Sequence, residues 1–320
     1  MNYLSIDKFE SARELLRQVI VPTPLQSSQS FSQMTDCAIH LKPECLQRNG
    51  SQKVRGAYYM LSRFSEEDRR SGVCTFSSGN WAQGVAYAGD RLGMPVTVIM
   101  REDANPKKVA ATKGYGAQVI LHGHESNELV STARRIAKEK NMVLVNPFEN
   151  PDMMIGLGTI GLEIIEEIPD VEAIVVPLGG GGMIAGISTA VKQIRRDVRV
   201  YGVEPEGANA MYRSLQAGRV IQLEKTETIA DGLAVQRPDE GTFRIIQENV
   251  DDVILVSDSE IKEAIFLLLE RAKLLVEPAG AVSLAAVLKR RIPDMVGRKV
   301  AVLLSGGNID FHLLREILSA

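Results

Sequence analysis

Short apolar runs alternate along most of this chain with longer segments whose apolar residues recur every three or four positions. Val73–Phe76, Val96–Met100, Gln118–Leu121 and Met142–Val145 read as strands. Between them, Trp81–Leu92 has helical spacing and stops at Gly93. Pro106 opens another helix, where its missing N–H costs nothing, and Gly114 closes it. Glu128–Lys140 is a charged amphipathic helix. The alternation resumes after Pro151. Helices are expected over Leu157–Ile168, Met183–Ile194, Glu260–Leu274 (with Asp258 as N-cap) and Ala279–Leu288. Strands are expected over Ile174–Val176, Val198–Gly202, Val253–Val256 and Lys299–Leu304. Short apolar strands alternating with helices predict an α/β fold of two open, mostly parallel, twisted sheets with helices on both faces. Ligands of such sheets bind outside the carboxyl ends of the strands.

Glycine-rich turns fall at those ends. Ser77-Ser78-Gly79-Asn80 follows one strand. Gly179-Gly180-Gly181-Gly182 follows Ala173–Pro177, and Ser305-Gly306-Gly307-Asn308 follows Val300–Leu304. A fourth segment, Gly50-Ser51-Gln52-Lys53-Val54-Arg55-Gly56-Ala57, sets a lysine among small residues ahead of the helix-like run Ala57–Leu61. A lysine held against small and apolar neighbours is desolvated, which lowers its pKa and favours the neutral amine that attacks carbonyls. A surface lysine is the plain alternative for Lys53. Four successive glycines before a helix let backbone N–H groups converge on an anion. A dinucleotide fingerprint is the rival reading, with Glu204 as the acidic residue downstream, but Ile184 stands where the third glycine belongs.

Composition narrows the classes. A chain of 320 residues holds two domains with cores of their own. A net charge of −3 shows no basic surplus, and the Lys and Arg clusters are scattered, so nucleic acid is not an expected partner. No run of 18 apolar residues suggests a membrane span, and acidic residues in the first turns argue against a secretory signal. Cys37, Cys45 and Cys74 lack metal-ligand spacing and fit reduced thiols in the cytoplasm. His122-Gly123-His124 reads as a loop rather than a zinc site.

Together with Val203-Glu204-Pro205, Ala230-Asp231-Gly232 and Val276-Glu277-Pro278, these turns resemble the fold type II pyridoxal-phosphate enzymes, and within them the serine/threonine dehydratase and serine racemase group. The resemblance covers nearly the whole chain. It implies a large domain of residues 1–48 and 147–320, with residues 49–146 inserted as a small domain and a linker near Pro147 to Pro151. It implies pyridoxal 5'-phosphate joined to Lys53 as a Schiff base and its phosphate cradled by Gly179, Gly180, Gly181, Gly182 and Met183. Asn80 would meet the phenolic oxygen, Ser305 the pyridine nitrogen, and Glu277 would lie beside the ring. Ser77, Ser78, Gly79, Asn80 and Trp81 would hold the substrate carboxylate. The activity implied is β-elimination of a small-molecule β-hydroxy amino acid, such as L-threonine or L-serine, to a 2-oxo acid and ammonia. Racemisation with Ser78 as the opposite-face acid/base is the alternative. Another lyase or replacement reaction, or a binding protein that keeps the fold, stay open. A homodimer or homotetramer is implied too, with no C-terminal regulatory domain.

Two residues depart from the group's pattern. Gln52 stands where Phe is usual before the lysine, and Trp81 where His is usual after the asparagine. Trp81 is expected to add bulk at the mouth of the carboxylate loop. The cation site of racemase-like members is expected to be damaged. Glu204 and the backbone of Ala208 match two ligands, but the third position falls on Ala210, and Glu206 is the nearest substitute.

Overall fold

A computed structural model describes residues 3–146 and 150–319. The expected linker falls largely on 147–149, outside the described residues. Among the described residues, ten strands occur in two sheets: β1 (Gln26–Ser27), β2 (Ala38–Lys42), β3 (Val73–Phe76), β4 (Val96–Met100), β5 (Gln118–Leu121), β6 (Val143–Val145), β7 (Ala173–Pro177), β8 (Arg199–Pro205), β9 (Asp252–Val256) and β10 (Lys299–Leu303). The larger sheet has the order β1-β2-β10-β7-β8-β9 and the smaller β5-β4-β3-β6. Only the two-residue β1 runs antiparallel to its neighbour. The fold class expected from the alternation is therefore the observed one. The smaller sheet comes entirely from chain lying between β2 and β7. Every residue of β4 and β7 is buried, as strands covered on both faces must be.

The helices follow their sequence signals with instructive exceptions. The helix Pro106–Gly114 is capped by Asn105, whose side chain accepts the Lys107 N–H. The helix Asn80–Leu92 ends at Gly93 in the left-handed conformation, φ 65°. The helix expected from Leu157 begins six residues earlier, at Pro151, because Asn150 caps it and Pro151 occupies the first turn. Asp258 is not a cap. Ser257 takes that role in a reciprocal box with Glu260, and the Asp258 carboxylate reaches out to Thr228 and the Ile229 N–H. The same helix gives way after Leu267 to a wider π-type turn, Leu268–Ala272, closed by Lys273 at φ 59°.

Lys53 proves to be the first residue of a helix, Lys53–Ser62, rather than lying ahead of one. That helix is wedged between two others through glycines. A Cβ on Gly156, in the helix Pro151–Glu167, would sit 2.5 Å from the Arg55 carbonyl oxygen. A Cβ on Gly84, in the helix Asn80–Leu92, would sit 3.1 Å from the Lys53 backbone. Beneath the lysine helix lies a buried ion cluster. Arg55, with no exposed surface, makes five hydrogen bonds to Glu44, Glu163 and Thr159. Lys42 pairs with Glu163 at 2.7 Å and Glu167 at 3.4 Å. The cluster ties the lysine helix to the end of β2 and to the helix Pro151–Glu167.

Candidate active site

Five loops converge at the carboxyl ends of the strands, and backbone hydrogen bonds set their register. The turn after β10 runs antiparallel to the segment before Lys53. The Gln52 N–H donates to the Ser305 carbonyl at 3.0 Å and the Gly307 N–H to the Gly50 carbonyl at 2.8 Å. The Glu277 N–H donates to the Gly306 carbonyl at 3.0 Å, which brings in the start of the helix Pro278–Leu288. Asn80, the first residue of its helix, donates from Nδ2 to Glu277 Oε1 at 2.6 Å. Lys53, Asn80, Glu277 and Ser305, far apart in sequence, are thereby gathered around one point.

The electrostatics of that point favour neutral groups. Burial pulls the Lys53 ammonium below its ordinary pKa, and Glu277 partly opposes the shift. Burial pushes the Glu277 carboxyl up to about 7, with Asp231 adding to the effect and Lys108, Asn80 and Lys53 opposing it. Lys53 is half-buried and has no hydrogen-bond or ion-pair partner among the described residues. Glu277 occupies the N-cap position of its helix, yet its side chain caps nothing there. The carboxylate is turned toward Asn80 instead.

The glycine loop after β7 is built to expose donors. Gly181 has φ 89°, a conformation that favours glycine, and caps the helix Gly182–Ile194. The N–H groups of Gly179, Gly180, Gly181, Gly182 and Met183 have no acceptor among the described residues. On its outer side the loop is held by Thr242, whose hydroxyl donates to the Gly180 carbonyl. It also rests on Leu233, whose Cα would lie 3.0 Å from a Cβ on Gly179. That contact gives the Ala230-Asp231-Gly232 segment its place, between the glycine loop and Ala279 of the Glu277 helix.

The loop after β3 is half-buried from Ser77 to Asn80. A Cβ on Gly79 would meet nothing within 4 Å, so the loop borders open space. The Gly79 N–H donates to Ser77 Oγ, and Ser78 Oγ accepts from the Arg101 N–H at 3.0 Å. The Ser78 hydroxyl hydrogen is therefore still available. Trp81 corrects an expectation. Its side chain is 3 % exposed and its indole N–H donates to Thr75 Oγ1 at 3.0 Å, which in turn donates to the Val145 carbonyl. It packs into the core and adds no bulk at the loop mouth; only its backbone N–H remains for a ligand.

Glu204 is also placed differently from a cation ligand. It is 1 % exposed, and its two carboxylate oxygens accept the N–H groups of Met211 and Tyr212 in the first turn of the helix Ala210–Ala217. Burial pushes its carboxyl up to about 8 against those two bonds. No cluster of three metal-ligating side chains occurs among the described residues. No helix among them is long and apolar enough to cross a membrane.

Free backbone donors at a helix N-terminus, an unpartnered neutral-leaning lysine and the hydrogen-bonded pair Asn80 and Glu277 are features that an enzyme using an anionic carbonyl cofactor needs. The family model described as pyridoxal-phosphate dependent enzyme matches residues 16–306, and the chain belongs to that family. It is 48% identical over 309 residues to an L-threonine ammonia-lyase of Geobacter sulfurreducens, covering 97% of this chain and 77% of that one. It is 43% identical over 316 residues to an L-threonine ammonia-lyase of Thermotoga maritima, covering 99% and 78%. Among solved structures, maize serine racemase superposes with a TM-score of 0.94 at 34% identity, covering 98% of this chain and 97% of that one.

The residues present fit the family's cofactor. The free N–H groups of Gly179 to Met183 suit a phosphate, and Lys53 suits an aldehyde carbon. The Ser305 hydroxyl, 4 % exposed and without a partner among the described residues, suits a ring nitrogen. Two further buried atoms beside Lys53, Ser51 Oγ and Gln52 Oε1, also lack partners among the described residues. Sequence reasoning had not placed Arg55, Glu44, Glu163 or Asn308 in the supporting structure. Arg55 lies two residues beyond Lys53, but only the fold shows what it meets.

Proposed function

We propose that this enzyme is a lyase that removes the β-hydroxyl and the amino group of L-threonine, and of L-serine, giving a 2-oxo acid and ammonia. The observation that carries the reading is the neutral-leaning, unpartnered Lys53 next to the hydrogen-bonded register that joins Gln52 to Ser305, Gly306 to Glu277 and Glu277 to Asn80. The names of the two ammonia-lyases, alike over nearly the whole of this chain, support it. When bound, pyridoxal phosphate supplies an electrophilic carbon for the amino group and an electron sink that acidifies the neighbouring C–H bond.

In this reading the chain's residues divide the work. The N–H groups of Gly179 to Met183 hold the phosphate, and the N–H groups of Ser77 to Trp81 hold the substrate carboxylate. The Asn80 amide would donate to the phenolic oxygen, and Ser305 would serve the pyridine nitrogen. A hydroxyl there accepts or donates without forcing protonation as a carboxylate would. The Lys53 amine, whose protonated form is disfavoured by burial, would take the α-proton as general base. The proton so taken up balances the one the β-hydroxyl needs to leave as water, and the enamine released into solution would hydrolyse to the 2-oxo acid and ammonium. No step is given to a metal ion. The division into residues 1–48 with 147–320 and an inserted 49–146 is part of the same reading, supported by the origin of the smaller sheet between β2 and β7. The cytoplasm suits three cysteines that form no disulfide. A homodimer or homotetramer is the assembly that goes with this reading.

A second reading, racemisation, is favoured by one observation: Ser78 keeps a free hydroxyl hydrogen on the loop that follows β3. The test is to incubate holoenzyme with L-threonine, L-serine and L-threo-3-hydroxyaspartate, measuring 2-oxo acid and, by chiral chromatography, D-isomer. Release of 2-oxo acid from L-threonine well ahead of any D-isomer is expected. D-isomer accumulating as fast as 2-oxo acid, and abolished by Ser78→Ala, would replace the lyase by a racemase. Turnover of 3-hydroxyaspartate alone would move the substrate to an acidic side chain.

A further inference from the structure

Asn308 closes the turn after β10 and touches no group that reacts. Its Nδ2 donates to two oxygens at once, the backbone carbonyl of Asn49 at 2.8 Å and Asn80 Oδ1 at 2.8 Å. Its side chain is packed over Gly50, at φ 72°, where a Cβ would come within 2.5 Å of Asn308 Oδ1. The two ends of an amide have nearly the same shape, so which end points where follows from partners. Here one partner settles it. A backbone carbonyl can only accept, so Asn308 must present its NH2 group to Asn49. The same NH2 group meets Asn80, which must then present its oxygen. The Asn80 NH2 group is left facing the other way, toward Glu277 Oε1 at 2.6 Å. Gly306 makes the meeting possible, since a Cβ there would lie 2.2 Å from Glu277 Oε1 and 3.1 Å from Asn80 Nδ2.

We infer that Asn308 is a positioning residue that fixes the Asn80 amide with its NH2 end in the cleft, so that Asn80 offers a donor and never an acceptor to the cofactor's phenolic oxygen. The inference rests on the reading of Asn80 as a cofactor contact. The NH2 group carries two hydrogens; Glu277 takes one and the second is free for an oxygen in the cleft. With the amide reversed, two oxygen lone pairs would face that same oxygen, and a donor would become a repulsion. Glu277 favours the donor orientation as well, so the amide is held from both ends.

Replacing the NH2 of Asn308 by an acceptor should turn Asn80 around. Asn308→Asp keeps shape and loses both donors, and its carboxylate calls for the Asn80 NH2. Asn308→Ala removes the constraint but leaves Glu277 to orient Asn80. The readouts are the dissociation constant of pyridoxal phosphate from the apoprotein, the position of the visible band of the bound cofactor and its pH midpoint, and the apoprotein melting temperature. Asn308→Asp should weaken cofactor binding about tenfold or more and move the band, the size expected for reversing one charge-assisted hydrogen bond. Asn308→Ala should cost about threefold or less. In an Asn80→Ala background Asn308→Asp should add less than about twofold, because its effect passes through the missing amide. A larger loss for Ala than for Asp would mean that Asn308 is only a packing wedge and overturn the inference. An Asp penalty that persists in Asn80→Ala would do the same, since it would then come from the new charge itself. Should Asn308→Asp not fold, the Asn308→Ala and Asn80→Ala cycle decides: additive losses overturn the inference, and non-additive ones uphold it. If Asn80→Ala alone leaves binding and the band unchanged, the cofactor-contact reading fails together with the inference, and that result is distinct from the others.

Discussion

Arg55→Met should be the most damaging single change to the fold that leaves every reacting group in place. The guanidinium is fully buried and donates to Glu44 at 2.7 and 2.8 Å, to Glu163 at 2.5 and 2.8 Å and to Thr159 at 3.2 Å. Glu163 would keep Lys42 at 2.7 Å, so its charge stays paired. Glu44, with no exposed surface, would keep only the Thr23 hydroxyl at 2.5 Å. Removing one partner of a buried pair costs about 3–5 kcal/mol, because the other charge is stranded. That is a large part of a total stability of about 5–15 kcal/mol. The loss should fall sharply when the stranded charge is removed too: Arg55→Met/Glu44→Gln should recover about 2 kcal/mol or more of it. Urea unfolding of the apoprotein measures this. Trp81, the single tryptophan, is buried near the smaller sheet and reports by fluorescence, while circular dichroism reports the whole chain. A loss below about 1 kcal/mol for Arg55→Met, or no recovery on adding Glu44→Gln, would refute the view that Arg55 neutralises a stranded carboxylate.

Lys53→Ala should abolish the visible band and activity while the melting temperature of the apoprotein stays close to wild type. Borohydride reduction of wild type followed by peptide mapping should label Lys53, and a label on another lysine would reassign the site. Exhaustive chelation should leave activity largely intact, because both Glu204 oxygens are engaged by Met211 and Tyr212 and Ala210 offers no side-chain ligand; recovery of lost activity by magnesium would contradict this. The contributions of Glu277 and Glu204 to apoprotein stability should fall as pH rises from about 5 to 8, with the lowered Lys53 amine opposing them. Glu277 (pushed up to about 7) and Glu204 (pushed up to about 8) hold protons in the folded state that the unfolded chain has already released, so their contribution is complete below the unfolded carboxyl pKa and is lost through the folded one. Glu204→Gln should flatten this decline by on the order of 2–4 kcal/mol, read from urea midpoints at pH 5, 7 and 8.5, and an unchanged slope would remove Glu204 from the explanation.

The sheets and the glycine-rich turns at strand ends were legible because both signals are local. An apolar run followed by glycines and a helical period marks a strand end whatever lies elsewhere, which is why β3, β7 and β10 and their turns fall where expected. Signals that depend on a partner far away in sequence were not legible. Trp81 reads as a bulky residue beside a loop until Thr75 and the core are seen around it. Asp258 reads as a cap because Asp is a good one, but Ser257 with Glu260 three residues later forms the stronger reciprocal box, and Asp258 is drawn to Thr228. Arg55 and Glu44 look like two surface charges, and nothing in their spacing says that Glu163, more than a hundred positions on, completes their cluster. Lys53 was legible as a residue type in a setting, whereas its desolvation is a property of the three helices packed around it.

In the apoprotein, burial shifts Lys53 and Glu277 in opposite directions. Each is pushed toward its neutral form by burial, and each charge, if present, would help to stabilise the other. Each charge therefore shifts the other group's titration against the effect of burial. Burial sets the balance: near neutral pH a proton on Glu277 and none on Lys53 is favoured relative to the same groups in water. That arrangement keeps a free amine beside the cradle without an unpaired buried charge. It also leaves Asn80 a partner in either state of Glu277, since a carboxyl or a carboxylate oxygen accepts from its NH2. The geometry that orients Asn80 is thereby independent of whether Glu277 carries a proton.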